Sequence, residues 1–460
     1  MMGARPKNDS GESMTAYSSR LSGVVKVGCL LAMAVVIQPK AVASGPDEVV
    51  ITLTRSACYG SCPAYQVTIH GDGLVHFTTG TSPIDAVDAL HRQFARSSGV
   101  LLPGTHEDRI RPEAVEALVK QFEAADFWHL KDAYRYPVSD MPTQVVTLVV
   151  GVRNKIVLDY MGTKAGMPQA AEDLEDAIDR VAGTDRWVKG SPGLIPWLER
   201  TRFDFHSNYA AELAVDGEAS NADETTVVAF VDHGAPLDET VLPPGRYPGK
   251  TEVAGITLIE NSIRRGHANV FKRLVKDGWL DRLGKAKAAE IFAEDAAGCS
   301  PSMVDAAADA GVDIDLAVVR KVNGDNESQG ETALATLGDS YACGRNEAAR
   351  VLTAQSLLAR GADPNHRDSL GRTPLYGVES LDLLNILLAH GADASAKSKD
   401  GRSMLFGSWT DAIVLRLLDA GASPVGRYDY DGKTLAQQAK ARNMPLVEHW
   451  LVAHPEAFHR

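Results

Sequence analysis

The C-terminal part of the chain has a hydrophobic pattern that repeats every 30 residues. Leu-rich helical segments precede the same punctuation three times, at Gly361-Ala-Asp-Pro-Asn365, Gly391-Ala-Asp-Ala-Ser395 and Gly421-Ala-Ser-Pro-Val425. Each glycine can adopt the left-handed conformation that ends a helix. A fixed period of this size is typical of a solenoid, in which every helical unit buries its apolar side against its neighbours.

A second landmark keeps the same register. Gly371-Arg-Thr-Pro-Leu375, Gly401-Arg-Ser-Met-Leu405 and Gly432-Lys-Thr-Leu435 follow the three Gly-Ala signals. The distance between the two landmarks is enough for an extended finger and a tight turn. The Thr hydroxyl is expected to cap a short helix, and the Leu begins the buried stripe of that helix.

Together these residues resemble the ankyrin repeat, whose pattern is Gly-x-Thr-Pro-Leu, two helices and then Leu-Leu-x-x-Gly-Ala-Asp. The resemblance implies stacked helix pairs, with fingers and first helices forming a concave surface that binds protein. The copies at 371–400 and 401–431 are shorter than the family's 33 residues, and the missing residues fall in the first helix. The copy that starts at Gly432 regains its length and caps the stack.

Weaker helix pairs of the same kind precede these copies. They are predicted at 209–235, 255–278, 287–311 and 330–361. With the later copies, the sequence predicts an all-α ankyrin solenoid of about seven repeats over residues 203–460.

The N-terminal half has strand-like and helix-like periods in alternation. Strands are predicted at 48–55, 65–70 and 74–79, a helix from Pro112, a hairpin of 144–151 with 155–160, and a helix at 168–181. Residues 80–111 are predicted to be a loop. The order β-β-β-α-β-β-α predicts an α+β domain over residues 44–190, followed by a linker at 191–202.

The first hairpin of this domain has a defined register. A three-residue loop at Gly71-Asp-Gly73 places Ile69 opposite Val75 and Val67 opposite Phe77, with all four side chains on one face.

The first 43 residues read as an export signal. Arg20 and Lys26 precede an apolar stretch at 27–37, and Ala41-Val-Ala43 supplies a cleavage site after Ala43. The apolar stretch is too short to span a bilayer. The mature protein is therefore expected in the periplasm or outside the cell, without a stable membrane anchor.

Four cysteines remain after signal removal. An even number in an oxidising compartment permits two disulfides, and proximity favours Cys58–Cys62. Cys299 and Cys343 lie in the turns after the first helices of neighbouring repeats. Stacked helices are about 10 Å apart, beyond a disulfide's reach unless the two positions are offset, so a second pair and two free thiols are both open.

The loop Cys58-Tyr-Gly-Ser-Cys-Pro-Ala-Tyr65 has three possible uses. A structural disulfide is favoured. A redox-active pair is less favoured, because dithiol oxidoreductases place Cys-x-x-Cys at a helix start, whereas three residues in a loop separate these two cysteines. A zinc site would need further ligands, for which His70 and His76 share the outer face of the hairpin. Tyr59 and Tyr65 are expected to be packing residues.

With Gly71-Asp-Gly, this loop also resembles a bacterial domain-of-unknown-function family of exported proteins that carry Cys-x-Gly-x-Cys-Pro-x-Tyr. The resemblance covers about residues 48–188 and implies no established activity.

Charge and the absence of catalytic spacings limit the functions. The chain has 47 Lys and Arg against 60 Asp and Glu, for a net charge of −13. Such a surface argues against nucleic acid and anionic lipid and favours a basic protein as the partner. No nucleophile elbow, zinc-protease motif, phosphate-binding Gly loop or Cys-x-x-Cys pair occurs, so no catalytic residue, metal ligand or cofactor is assigned.

The leading hypothesis is an exported, non-enzymatic protein whose solenoid binds another protein. The predicted contact residues are finger positions that do not serve the fold: His366, Arg367, Asp368, Lys397, Lys399, Asp400, Tyr428 and Tyr430. A second hypothesis is a thiol- or metal-dependent enzyme in the N-terminal domain, with the repeats as a docking module. A third is an inhibitor or immunity protein.

Overall fold

The structure is a computed structural model, and residues Gly45–Arg460 form one compact unit. It describes residues 48–59, 62–79, 99–242, 251–295, 299–322, 325–338, 342–405, 410–426 and 432–459. The predicted export signal and the predicted contact residues Tyr428 and Tyr430 lie outside the described residues.

The N-terminal region is built on a seven-stranded sheet of order β4-β3-β2-β1-β6-β7-β5. Neighbouring strands are antiparallel except β5 and β7, which are parallel. The strands are β1 Val49–Arg55, β2 Tyr65–His70, β3 Leu74–Thr78, β4 Thr105–Arg109, β5 Ala133–Arg135, β6 Gln144–Val150 and β7 Arg153–Tyr160.

One face of the sheet is packed against two helices, α1 (Pro112–Ala124) and α2 (Gln169–Ala182). The predicted register of the first hairpin is confirmed: Ile69 pairs with Val75 and Val67 with Phe77, and all four side chains are fully buried. A short helix, α3 (Asp185–Val188), follows α2 and carries Trp187 into this core.

Two strands of the seven-stranded sheet were not expected from the sequence. Strand β4 lies within the segment 80–111, so the loop prediction is wrong for this part of it. Its sequence Thr-His-Glu-Asp-Arg has no apolar side chain, and its pairing comes from backbone bonds to β3 at the edge of the sheet. Strand β5 has only three residues, so its sequence is too short to show the alternation of apolar and polar residues that predicts a strand.

A helical region follows the sheet. Its helices are α4 Leu194–Arg200, α5 Asn208–Ala219, α6 Glu224–Asp232, α7 Ala254–Arg265, α8 Ala268–Lys276, α9 Trp279–Leu283, α10 Lys285–Asp295, α11 Pro301–Asp309, α12 Ala333–Thr336, α13 Glu347–Ala359, α14 Leu381–Ala389, α15 Asp411–Asp419, α16 Leu435–Ala441 and α17 Pro445–Ala453.

These helices stack in sequence order. Helices α6, α8, α11, α13, α14, α15 and α17 form a row in which each packs on the next. Each buries a short apolar stripe, such as Leu383, Leu384 and Leu387 in α14. None of these helices can bury its stripe alone, so the row is held together by contacts between neighbours, as in a solenoid.

The helical region differs from the prediction in three ways. Helix α4 occupies most of the predicted linker 191–202 and packs on α6. The region is not all-α, because it includes two hairpins, β8 (Thr240–Val241) with β9 (Glu252–Val253) and β10 (Val318–Val322) with β11 (Asp325–Glu331).

The third difference concerns the predicted first helices. Residues after Thr373 form turns instead of a helix, and the Thr373 hydroxyl lies 3.3 Å from the Met404 sulfur rather than capping. Thr434, by contrast, caps α16 in a reciprocal capping box with Gln437. The shortened copy at 371–400 does not have enough residues for a first helix.

Candidate partner-binding surface and the cysteine cleft

The finger after helix α13 is a compact hydrogen-bonded loop. The Asp363 carboxylate accepts from the amide of Asn365 (2.8 Å), which fixes the corner where the chain leaves the helix. At the tip, the amide of Asp368 donates to the carbonyl of Arg372 (3.0 Å), and that of Gly371 donates to the carbonyl of Asp368 (2.9 Å). Gly371 has φ +76°, which a non-glycine residue adopts only with strain.

The next finger repeats these bonds 30 residues later. The Asp393 carboxylate accepts from the amide of Ser395 (2.8 Å). At the tip, the amide of Ser398 donates to the carbonyl of Arg402 (2.9 Å), and that of Gly401 to the carbonyl of Ser398 (2.9 Å). The repeated sequence pattern therefore corresponds to a repeated backbone geometry.

The two fingers are also joined to each other. The amide of Lys399 donates to the carbonyl of Leu370 (2.8 Å), and the Arg367 guanidinium donates to the carbonyl of Lys397 (2.8 Å). The Asn365 side chain makes two further bonds to the backbone of the second finger, of 2.9 and 2.7 Å. The tips thus form a row of fixed spacing, and ordering them on binding costs little conformational entropy.

The predicted contact residues are not equivalent in this row. Arg367, Lys397, Lys399 and Asp400 are exposed, and His366 is half-buried. Leu370, which was not predicted, is 48% exposed on the first tip.

Asp368 is buried, so its prediction as a contact residue is corrected. Its carboxylate accepts from the amides of Leu370 (2.9 Å) and Arg372 (2.8 Å) and pairs with the Arg372 guanidinium (2.5 Å). Arg372 also lies 3.3 Å from the carboxylate of Glu331. These three bonds of the Asp368 carboxylate all lie within its own turn.

Cys299 and Cys343 are paired at disulfide distance, with 5.3 Å between their Cα atoms. Both residues have positive φ, +54° and +59°. The two left-handed turns supply the offset that direct stacking of neighbouring units would not give, so the disulfide is the alternative that the structure takes.

The Cys58–Cys62 pair is also at disulfide distance, with Cα atoms 5.5 Å apart. Tyr59, between the two cysteines, is 92% exposed, so the packing interpretation is wrong for it. Its amide donates to the carbonyl of Asp140 (3.1 Å), which joins the cysteine loop to the segment before β6. Tyr65 is buried, as expected.

A cleft of about 450 Å³ adjoins this loop. Its lining combines charged side chains, among them Arg55 and Asp179, with Cys62, Pro63 and Pro142. The carboxylate of Asp179 at its base accepts from the Arg55 guanidinium (2.9 Å) and the Tyr65 hydroxyl (2.7 Å). Burial and the neighbouring Asp179 charge raise the pKa of Tyr65, so the phenol stays protonated and donates to Asp179.

Two buried carboxyl groups lie behind this cluster. Glu175 and Asp159 are each 4% exposed, and Oε1 of Glu175 has no hydrogen-bond partner. Burial raises the pKa of Glu175 to about 8, with Asp159 adding to the shift and Arg55, whose Nη1 lies 3.4 Å from Oε2, opposing it. Glu175 is therefore largely protonated at neutral pH.

Sequence reasoning missed this cluster, although the helical period contained a signal. Glu175 is four residues after Ala171 and three before Ile178, so it lies within the buried stripe of α2. The histidines considered for zinc, His70 and His76, are stacked edge to face with ring centroids 5.4 Å apart. Over the described parts of the chain, no group of three or more metal-ligating side chains converges.

No helix within the described ranges combines the length and apolar character needed to cross a bilayer.

Comparison with known proteins gives a match to a family model and likenesses to solved structures. The model of a family described as Domain of unknown function (DUF6438) matches residues 49–182, less than a third of the chain. Among solved structures, the chain is similar to the ankyrin repeat domain of Bcl-3, a member of the IkappaB protein family, at 19% identity and a TM-score of 0.30 over 53% of this chain and 96% of that chain. At that score the likeness carries no weight for function. No curated protein matches the chain.

Proposed function

We propose that this chain is a binding protein whose helical region recognises another protein through the row of finger tips. The observation that supports this most directly is the ladder between the two fingers, in which Arg367 bonds to the backbone of Lys397 and Lys399 to that of Leu370. A surface fixed in this way presents exposed side chains at defined spacing without further ordering.

The proposal includes export to the periplasm or the exterior. Its support is the sequence of the first 43 residues and the two cysteine pairs at disulfide distance, because disulfides persist in oxidising compartments. Removal of the signal after Ala43 would release the chain from the membrane. No observation on the described residues favours the thiol- or metal-dependent enzyme, or the inhibitor, over a binding protein.

The net charge of −13 favours a basic partner for the molecule as a whole. The local charge of the finger tips differs from this net charge.

The test is site-specific photo-crosslinking in the exported full-length chain. A photoreactive residue at Ser369 on the first tip should capture a protein that one at Val152, 96% exposed on the sheet, does not. The captured protein, once purified, should bind the wild-type chain and lose affinity for Leu370→Ser but not for Val152→Ser. Equal crosslinking at both positions, or equal affinity of both variants, would refute the proposal.

A further inference from the structure

The finger tips have a charge opposite to that of the chain as a whole. Over the tip segments 366–372 and 397–402, the cations are Arg367, Arg372, Lys397, Lys399 and Arg402, and the anions are Asp368 and Asp400. This excess of cations occurs in a protein with thirteen more acidic than basic residues.

Both tip anions are already engaged within their own turns. Asp368 is buried against Arg372, at 2.5 Å, and Asp400 lies 2.6 Å from the Arg402 guanidinium. Asp400 also accepts from the Ser398 hydroxyl (2.5 Å). These pairs neutralise two of the five tip cations and define the shape of each turn.

The remaining tip cations, Arg367, Lys397 and Lys399, have no carboxylate within ion-pair distance among the described residues. All three are exposed. The Arg367 guanidinium is held in place by the carbonyls of Gly371 (3.2 Å) and Lys397 (2.8 Å), which leaves its charge uncompensated and its position fixed.

Other acidic groups lie beside the tips: the carboxylate of Glu331 is 3.3 Å from the Arg372 guanidinium, and Asp363 and Asp393 belong to the base of each finger. The carboxylates of Asp363 and Asp393 accept backbone amides at the corners where the chain leaves α13 and α14. Asp363 and Asp393 thus stabilise the corners of the fingers.

An apolar side chain lies among these cations. Leu370 is 48% exposed, and its carbonyl accepts from the amide of Lys399, so the two residues are neighbours on adjacent tips. A partner that fits this surface combines carboxylates with one apolar side chain.

Resting on the proposed function, we propose that these tips bind an acidic segment of a partner protein, with an apolar residue of that segment seated on Leu370. Arg367 supplies a fixed bidentate donor for a carboxylate, and Lys397 and Lys399 supply mobile charges on either side. Because the rest of the chain is acidic, such a segment is repelled elsewhere and attracted here, which selects both the site and the orientation.

The experiment uses the full chain and a short fluorescein-labelled peptide of alternating Glu and Gly around one central Leu. Fluorescence anisotropy should show saturable binding that a matched peptide with Lys in place of Glu lacks. The affinity should fall when ionic strength is raised from about 0.02 to 0.15 M, because exposed charge pairs are screened.

The decisive variant is Lys397→Glu with Lys399→Glu. Its affinity for the acidic peptide should fall about tenfold or more. Lys120→Glu with Lys164→Glu, two exposed lysines on the sheet region, changes the net charge equally and should leave the affinity unchanged. Circular dichroism of both variants checks that the fold is retained.

The outcomes separate this proposal from the one it rests on. An acidic peptide that binds no better than the basic one, or an equal loss in both lysine pairs, overturns the assignment of an acidic partner. If the protein captured at Ser369 loses affinity for Leu370→Ser but not for the Lys397 and Lys399 reversal, the fingers bind a partner of another charge class. If neither Leu370→Ser nor the Lys397 and Lys399 reversal lowers the affinity for that protein, both proposals fail.

Discussion

Glu175 gives the sharpest test of the structure, because its protonation should set part of the pH dependence of stability. The carboxyl is buried beside Asp159, whose Oδ1 accepts from the amide of Gly162 (2.5 Å). Burial is the main reason why the pKa of Glu175 rises from 4.5 to about 8, and Asp159 adds to it. A group with a raised pKa binds its proton more tightly in the folded state than in the unfolded state.

The sign and size follow from this difference. The contribution of Glu175 to the free energy of unfolding is fully present below pH 4.5 and is lost as the pH rises toward 8. One pKa unit corresponds to about 1.4 kcal/mol, so the loss over this window is on the order of 4–5 kcal/mol. The nearby Arg55 does not prevent it, because that guanidinium is already bonded to Asp179 at 2.9 and 3.0 Å.

The perturbation is Glu175→Gln. The amide has the shape of the protonated acid, can donate to Asp159 and cannot ionise, so this variant should lose little stability at pH 5 and should be more stable than wild type at pH 8. Urea unfolding at intervals between pH 5 and 8 measures the difference. The exposed Glu116 on α1 provides the control, since Glu116→Gln should follow the wild-type curve. Parallel curves for Glu175→Gln and wild type across the window would refute the reasoning.

Three further changes test other parts of the structure. Replacing Cys299 and Cys343 with Ser removes a link across a sequence separation of 44 residues and should lower the free energy of unfolding by about 4 kcal/mol on the chain-entropy view; an unchanged urea midpoint under oxidising conditions would contradict the pairing. Gly371→Ala should destabilise by about 2–4 kcal/mol, because φ is +76° and the new Cβ would lie 2.9 Å from the Lys399 nitrogen. Gly391→Ala, with φ +87° but nothing within 4 Å, should cost only about 1–2 kcal/mol in the same urea unfolding assay, and equal losses would argue against the close approach of the fingers. Trp197→Phe removes the indole bond to the carbonyl of Glu107 (3.0 Å) and should lower the unfolding free energy by about 1–2 kcal/mol in urea; no change would show that this bond does not hold β4.

The first hairpin and the finger register could be predicted because both are set by local residues. Gly73 has φ +85°, and the alternation of apolar residues on either side of the turn leaves one register that buries them all. The 30-residue period likewise places Asp368 and Ser398 at matching turn positions, since the same backbone bonds recur in each finger.

The features that could not be predicted depend on contacts between distant segments. Strand β4 has no hydrophobic period; its backbone pairs with β3, and the carbonyl of Glu107 accepts from the indole of Trp197 in α4. The short distance between Cys299 and Cys343 depends on two left-handed turns. The general spacing of stacked helices does not predict these turns. Aspartate is common in exposed turns, so the sequence suggested that Asp368 is exposed. The folded turn directs its carboxylate inward.

The position of α4 explains why the sheet and the helices form one unit rather than two domains on a linker. Trp197 packs edge to face on Trp187, with ring centroids 5.6 Å apart, and on His106, at 5.1 Å. Arg186 and Arg200 both pair with Asp108 of β4. The other side of α4 packs on α6, the first helix of the row. A stack of repeats exposes apolar surface at each end unless a capping element covers it. In this chain α4 lies between the sheet region and the N-terminal end of the row, so the first helix of the row is covered there.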